Sequence, residues 1–233
     1  MTLVSEVASR ALKAVWRQKW LVHRRCRPEA FGGLLHVQEI GNAKGDKKQY
    51  GIGSIVSGSA GATALGENGS FLLPMAFSAG SPNHPAYEAG HATVAGACAT
   101  ILKAWFDENA SLNGIFKKLT SEPHNTQKEP GNPPGIKQPG CRKTDGDDCK
   151  ERFELPGELC DVELTVGGEL NKLASNVSMG RSLGGVHWRS DNTRSLRLGE
   201  QIAVDILRKR VSEYAEAGTS FSFTSFDGDK VSI

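Results

Sequence analysis

Residues 91–107, HATVAGACATILKAWFD, have the length and apolar content of a buried helix but very little side-chain bulk in their first half. Ala92, Ala95, Gly96, Ala97 and Ala99 make such a helix thin. A thin helix buries its surface only if another element comes unusually close, so this stretch predicts tight helix–helix packing. Around it, apolar residues recur at three-to-four spacing in further segments. Val7, Leu12, Val15, Trp16 and Val22 mark a helix from Ser5 to about Cys26, which Pro28 ends. Leu170, Leu173, Ala174 and Val177 mark another over about Val166 to Met179. A fourth begins near Asp191, a plausible N-cap, and runs through Ile202, Ala203, Ile206 and Leu207. The C-terminal SFSFTSFDGDKVSI alternates aromatic and polar residues and predicts a short strand or hairpin. The fold class expected is all-α, a helical bundle with long irregular loops and a short C-terminal β hairpin.

Two stretches interrupt that pattern. Residues 41–70 are rich in Gly, Ser and Lys and read as an irregular excursion, too glycine-laden for a stable helix. Residues 121–160 form a long polar loop with five prolines before Arg142. A loop of that length is usually functional or disordered. Cys141, Cys149 and Cys160 crowd this region without metal-ligand spacing, and a disulfide among them stays open. Cys26 and Cys98 fall in expected helices and read as buried thiols.

The 233 residues suffice for one domain with a real core. A formal charge of +2 is too near neutrality for a nucleic-acid or membrane surface. No stretch approaches the roughly 18 apolar residues of a membrane span, and the N-terminus lacks a signal peptide's apolar core. Compartment stays undecided. Basic residues do concentrate in RQKWLVHRRCRP, a local excess that asks for a local partner such as an anion.

Lys19 follows Leu12 by seven residues and Val15 by four, so it lies on or beside the apolar stripe of its helix. Alone, it would be a lysine snorkelling to water. Arg27 sits at the break forced by Pro28, where most arginines face solvent. Arg181 follows Val177 by four residues, among the glycines of MGRSLGGVHWRSD. Inward cations are costly unless an anion pairs with them, and these three point to one compact anion. Gly90 then lets backbone approach a ligand, and N–H groups at a helix start favour a tetrahedral oxyanion. His91, on the first turn, is suited to exchange protons beside it, or else caps the helix. His187 can reach the same pocket past two glycines, as a ligand to a transition metal or a nucleophile toward phosphorus. Asp191 caps the next helix, orients His187, or does both.

KWLVHRRCRP, SPNHPAYEAGH and SMGRSLGGVHWRSD, in that order and with extended matching flanks, resemble the three anion-site motifs of the vanadium-dependent haloperoxidases, within the phosphatidic-acid phosphatase type 2 superfamily. The likeness is closest to algal and cyanobacterial bromoperoxidases and covers most of the chain outside the two excursions. It implies vanadate as cofactor, with His187 as the metal ligand and Lys19, Arg27, Arg181 and the Gly90 N–H holding its oxygens. It further implies His91 as the acid–base group, Lys19 as the group that polarises peroxide, and His84 as a residue favouring bromide and iodide over chloride. Hydrogen peroxide, halide and small organic acceptors would be the substrates. The family usually reads Ser-Gly-His where this chain has Ala89-Gly90-His91. The missing hydroxyl removes one hydrogen bond to a charged partner, worth about 1.5–3 kcal/mol. Family members are typically much longer, so residues 1–233 are expected to be the catalytic domain without an N-terminal helical half, with a homo-oligomer or that half covering bare apolar surface. An acid phosphatase using the same pocket, or a catalytically silent fragment, are the alternatives.

Overall fold

The computed structural model describes residues 2–45, 50–56, 58–75, 80–112 and 164–233. The 121–160 loop with Cys141, Cys149 and Cys160 lies outside them. In order, the chain forms α1 (Thr2–Arg17), a π-helical turn (Gln18–His23), α2 (Pro28–Ala43), α3 (Gly53–Val56), α4 (Ser59–Asn68), α5 (Gly90–Trp105), α6 (Val166–Leu183), α7 (Arg189–Glu213), and strands β1 (Ser222–Thr224) and β2 (Lys230–Ser232). The chain is a helical bundle with a C-terminal hairpin, as its periodicity predicts. β1 and β2 pair antiparallel, with Phe223 opposite Val231.

Residues 1–106 and 170–233 make one compact unit and residues 107–169 a second. In the second unit, the described segments pair through a bridge between Ser111 and Thr165 and through Leu112 N–H to Leu164 O, 2.8 Å.

The main core of the first unit joins Val7 and Ala11 of α1, Ala97 and Ile101 of α5, Ala203, Val204, Ile206 and Leu207 of α7, and Phe221 and Phe223 at the hairpin. Fully buried side chains such as Leu207 and Phe223 each stabilise the fold by about 1.5–3 kcal/mol. The thin helix has the close neighbour its composition requires. A Cβ on Gly96 would stand 2.3 Å from Leu196 O, and one on Gly199 would stand 2.1 Å from Thr93 O. Paired glycines therefore set the α5–α7 crossing. The same core encloses Lys103, whose Nζ donates to Thr224 O at 2.5 Å and lies 4.5 Å from the Phe226 ring centroid. Glu200, 4.0 Å away, supplies the counter-charge and accepts the Phe226 N–H at 2.8 Å, which fastens the hairpin to α5 and α7.

Several expectations need correction. The first helix does not run to Cys26: regular α geometry ends at Arg17, a π-helical turn follows, and Arg24 leaves it with φ 46°. The segment 24–27 is not helical, so Cys26 is exposed rather than buried, while Cys98 on α5 is partly buried. Pro28 does not only end a run; it opens α2, where its fixed φ and missing N–H cost nothing. The 41–70 excursion contains α3 and α4. Gly61 makes that possible, because a Cβ there would meet Ile55 O at 2.3 Å, so glycine lets α4 sit on the end of α3. Leu35, Val56 and Phe71 form a small second core beneath them. The last long helix starts at Arg189, with Trp188 rather than Asp191 at the N-cap.

Gly199→Ala forces α5 and α7 apart against backbone. Overpacking of this kind costs about 1–3 kcal/mol, so the melting temperature should fall by several degrees in thermal denaturation. An unchanged melting point would contradict the crossing described.

Candidate active site

Three chain segments converge beside the α5 start. The π-helical turn widens the backbone at Lys19, its last bond being Arg24 N–H to Lys19 O at 2.9 Å. Such turns redirect side chains, and Lys19 is driven inward until 1% of it remains exposed. Its ammonium donates to Pro85 O at 2.5 Å and Ala86 O at 3.2 Å. Arg27, 4% exposed, donates Nε–H to His84 O and Nη1–H to Val186 O, both at 2.7 Å. Backbone carbonyls thus pin two buried cations and point their remaining positive surface into one space. That space is a cavity of about 540 Å³ lined by Lys19, Arg27, His84, Gly90, His91, Arg181 and His187 among others. These seven of the residues singled out from the sequence meet there, while Asp191 and Ala89 do not line the cavity.

The far wall is apolar. Leu12 and Trp16 of α1, Val94 and Leu102 of α5, and Leu170, Leu173 and Val177 of α6 continue the cavity away from the cations. On α6 the positions 170, 173, 174, 177 and 181 share one helical face, so periodicity itself delivers Arg181 to the polar end. Arg181 Nε is buried without a hydrogen-bond partner among the described residues. A buried unpaired guanidinium N–H is costly and fits an anion that the protein itself does not supply. No carboxylate lines the cavity among the described residues.

At the start of α5, Ala89 is the N-cap and makes no side-chain cap bond. It is fully buried and its N–H donates to Ser195 Oγ at 2.8 Å. A Cβ added to Gly90 would find only Leu12 Cδ1, at 3.8 Å, so it would project into open cavity. The first-turn N–H groups of α5 have no intrahelical acceptor, and a helix start of this kind suits an oxyanion.

His187 is 6% exposed. Its Nδ1 lies 3.1 Å from Asp191 Oδ2, and its Nε2 lies 3.4 Å from Arg27 Nη1. A carboxylate accepts only, and an arginine donates only. Those partners select the tautomer with the proton on Nδ1 and leave Nε2 an acceptor facing Arg27 Nη1, both residues lining the cavity. Asp191 Oδ2 also accepts the Trp188 N–H at 2.9 Å, so this side chain both caps α7 from its third position and orients His187. His84 stands 3.1 Å from Arg27 Nη2, with its ring 5.1 Å from that of Trp16.

Burial and mutual repulsion show in the acid–base properties. Burial, then the neighbouring Arg27, pushes Lys19 down to about 8. Burial lowers His84, His91 and His187 as well, with Lys19, Arg181 and Arg27 respectively adding to it. All three imidazoles are therefore biased to the neutral, proton-accepting form. Sequence reading missed Arg25, which bonds Asp191, and Glu88, buried and raised in pKa by that burial. The basic run RQKWLVHRRCRP contained the first signal, without saying which arginine turns where.

Residues 1–216 match the family model described as VCPO second helical-bundle domain. The chain is 41% identical to the vanadium-dependent bromoperoxidase of Corallina pilulifera, over all of this chain and 36% of that protein. It is 36% identical to the vanadium-dependent bromoperoxidase of Ascophyllum nodosum, over 97% of this chain and again 36% of the relative. Its structure resembles that of the homohexameric second vanadate-dependent bromoperoxidase of Ascophyllum nodosum, with a TM-score of 0.63 and 32% identity, covering 100% of this chain and 39% of the other. The chain thus spans little more than a third of the length of the relatives it matches.

The Lys19 value gives a signed test. Its proton affinity in the folded protein is depressed from 10.5 to about 8, so between those values the unfolded chain binds more protons. In phosphate-free buffer the melting temperature should rise with pH across that window, and the rise should be smaller in Lys19→Met. Equal slopes in both proteins would contradict the buried charge.

Proposed function

This chain belongs to the vanadium haloperoxidase family as its second helical-bundle domain, and from that premise we propose that residues 1–233 are the vanadate-binding catalytic region of a bromide-oxidising peroxidase. The observation that carries the proposal is the convergence of Lys19, Arg27, Arg181, the α5 start and His187 on one cavity. Vanadate is the anion that such a set fits best, since it takes both charge-assisted hydrogen bonds and one bond from imidazole. The orphaned Arg181 Nε and the open space above Gly90 support the fit.

In this reading His187 is the metal ligand, and Lys19, Arg27, Arg181 and the Gly90 N–H hold the oxygens. When bound, vanadate supplies a Lewis-acidic centre that activates hydrogen peroxide for two-electron oxidation of halide. His91 would accept a proton from hydrogen peroxide, for which its depressed proton affinity suits it. Lys19 would keep positive charge at the edge of the anion site. His84, held by Arg27 and Trp16, borders the halide path and favours bromide or iodide. The hypohalous-acid equivalent then halogenates small organic acceptors. Ala89 contributes no hydroxyl, so vanadate is held with one hydrogen bond fewer than a serine would give. Assembly into a homo-oligomer, as in the homohexameric relative, is part of the same proposal.

Protein loaded with orthovanadate and given hydrogen peroxide, bromide and a phenol should brominate the phenol. His187→Ala should abolish both vanadate retention and bromination, and His91→Ala should cut turnover by about 10²–10⁴-fold with vanadate still bound. Unchanged turnover in His187→Ala would refute the ligand assignment. Hydrolysis of a phosphate monoester in place of bromination would instead identify His187 as a nucleophile toward phosphorus.

A further inference from the structure

Asp191 is fully buried, and what fixes it lies outside the cavity. Its two oxygens are divided. Oδ2 serves His187 Nδ1 at 3.1 Å and Trp188 N–H at 2.9 Å, while Oδ1 accepts Arg25 Nη1–H at 2.7 Å. Arg25 does not line the cavity. Its guanidinium lies against two rings, 5.7 Å from the Tyr87 centroid and 5.9 Å from that of Trp188, and Nη1 also donates to Ser190 Oγ at 2.9 Å. Trp188 is itself tethered by Nε1–H to Cys26 O at 2.9 Å. The Arg25 carbonyl accepts the Ala86 N–H at 2.9 Å, which joins the segment after the π-helical turn to the one before α5.

A carboxylate with only one oxygen anchored can rotate about its Cβ–Cγ bond, and a buried one without a counter-charge is costly. With the second oxygen bonded to a guanidinium held against two rings, the plane of the carboxylate is set, and with it the plane of the imidazole.

We infer that Arg25 is a positioning residue that locks Asp191 and thereby aims the His187 Nε2 lone pair into the cavity. The inference rests on the reading of His187 as the ligand. Positioning through a partner of a ligating histidine typically changes metal affinity by about 10–100-fold. Phosphate provides the control, because it has the shape and charge of vanadate but takes no bond from His187.

Equilibrium dialysis of the full chain against orthovanadate and, separately, inorganic phosphate tests this. Arg25→Met should weaken vanadate binding by about 10–100-fold and leave phosphate binding within about twofold of the parent. Arg25→Lys should restore part of the vanadate affinity, since the charge returns without the two-dimensional fork. Arg25→Gln keeps a donor of similar reach without the charge and serves where the methionine variant does not fold. Equal loss of both anions would mean a general structural role, and no loss of either would mean no role; both overturn the inference. Relaxation of the His187 ring nitrogens in ligand-free, nitrogen-15-labelled protein separates the two readings. A ring that becomes more mobile in Arg25→Met supports the lock even if vanadate proves not to be the ligand, and an unchanged ring refutes it.

Discussion

Buried positive charge gathered around one cavity is the constraint to which the first unit answers. Lys19 and Arg27 are nearly inaccessible, yet among the described residues no carboxylate lines the cavity with them. Their desolvation is met by the carbonyls of His84, Pro85, Ala86 and Val186. Those carbonyls belong to the two segments that lead into α5 and α7, so the cations and the helix starts hold one another in place. Arg181 Nε has no such partner among the described residues, and the space beside Gly90 is open, which is what supports the proposed oxyanion.

The α5–α7 crossing gives that charge its geometry. Gly96 and Gly199 bring the two backbones close enough that the start of α5 and the start of α7 open onto neighbouring ground. Ser195, nearly two turns into α7, accepts the Ala89 N–H and ties α7 directly to the α5 start. His187 and Asp191 then precede and open α7, while Gly90 and His91 open α5. The spacing between the His187 imidazole and the α5 start thus depends on two glycines roughly two and three turns further along their helices.

How much was legible in the sequence depended on how local the cause was. Periodicity placed α5, α6 and α7 because one apolar face per helix is a short-range property, and it carried Arg181 along. Motif order brought seven residues to one cavity because each stands next to a turn or helix start with its own signature. Lys19 was legible as an inward lysine, but not the π-helical turn that buries it, since the widened turn is imposed by its neighbours. The helix α4 was hidden because glycine is unfavourable in isolation, whereas at Gly61 its lack of a side chain is what lets α4 rest on α3. Arg25 was one basic residue in a basic run. Only a partner 166 positions away distinguishes it from Arg24.

The π-helical turn has a further consequence, for how this stretch tolerates change in length. Six residues wound with one extra residue per hydrogen-bonded ring hold Lys19 inward while Arg24 turns the chain toward Arg27. Each residue of an ordinary helix advances about 100° around its axis. Loss or gain of a single codon between Gln18 and His23 would swing Lys19 by about that angle relative to Arg27 and detach ammonium from carbonyls, although every flanking side chain stayed the same. Point substitutions at exposed positions such as Leu21 and Val22 carry no such penalty. Insertions and deletions, rather than replacements, are what this part of the gene has least room for.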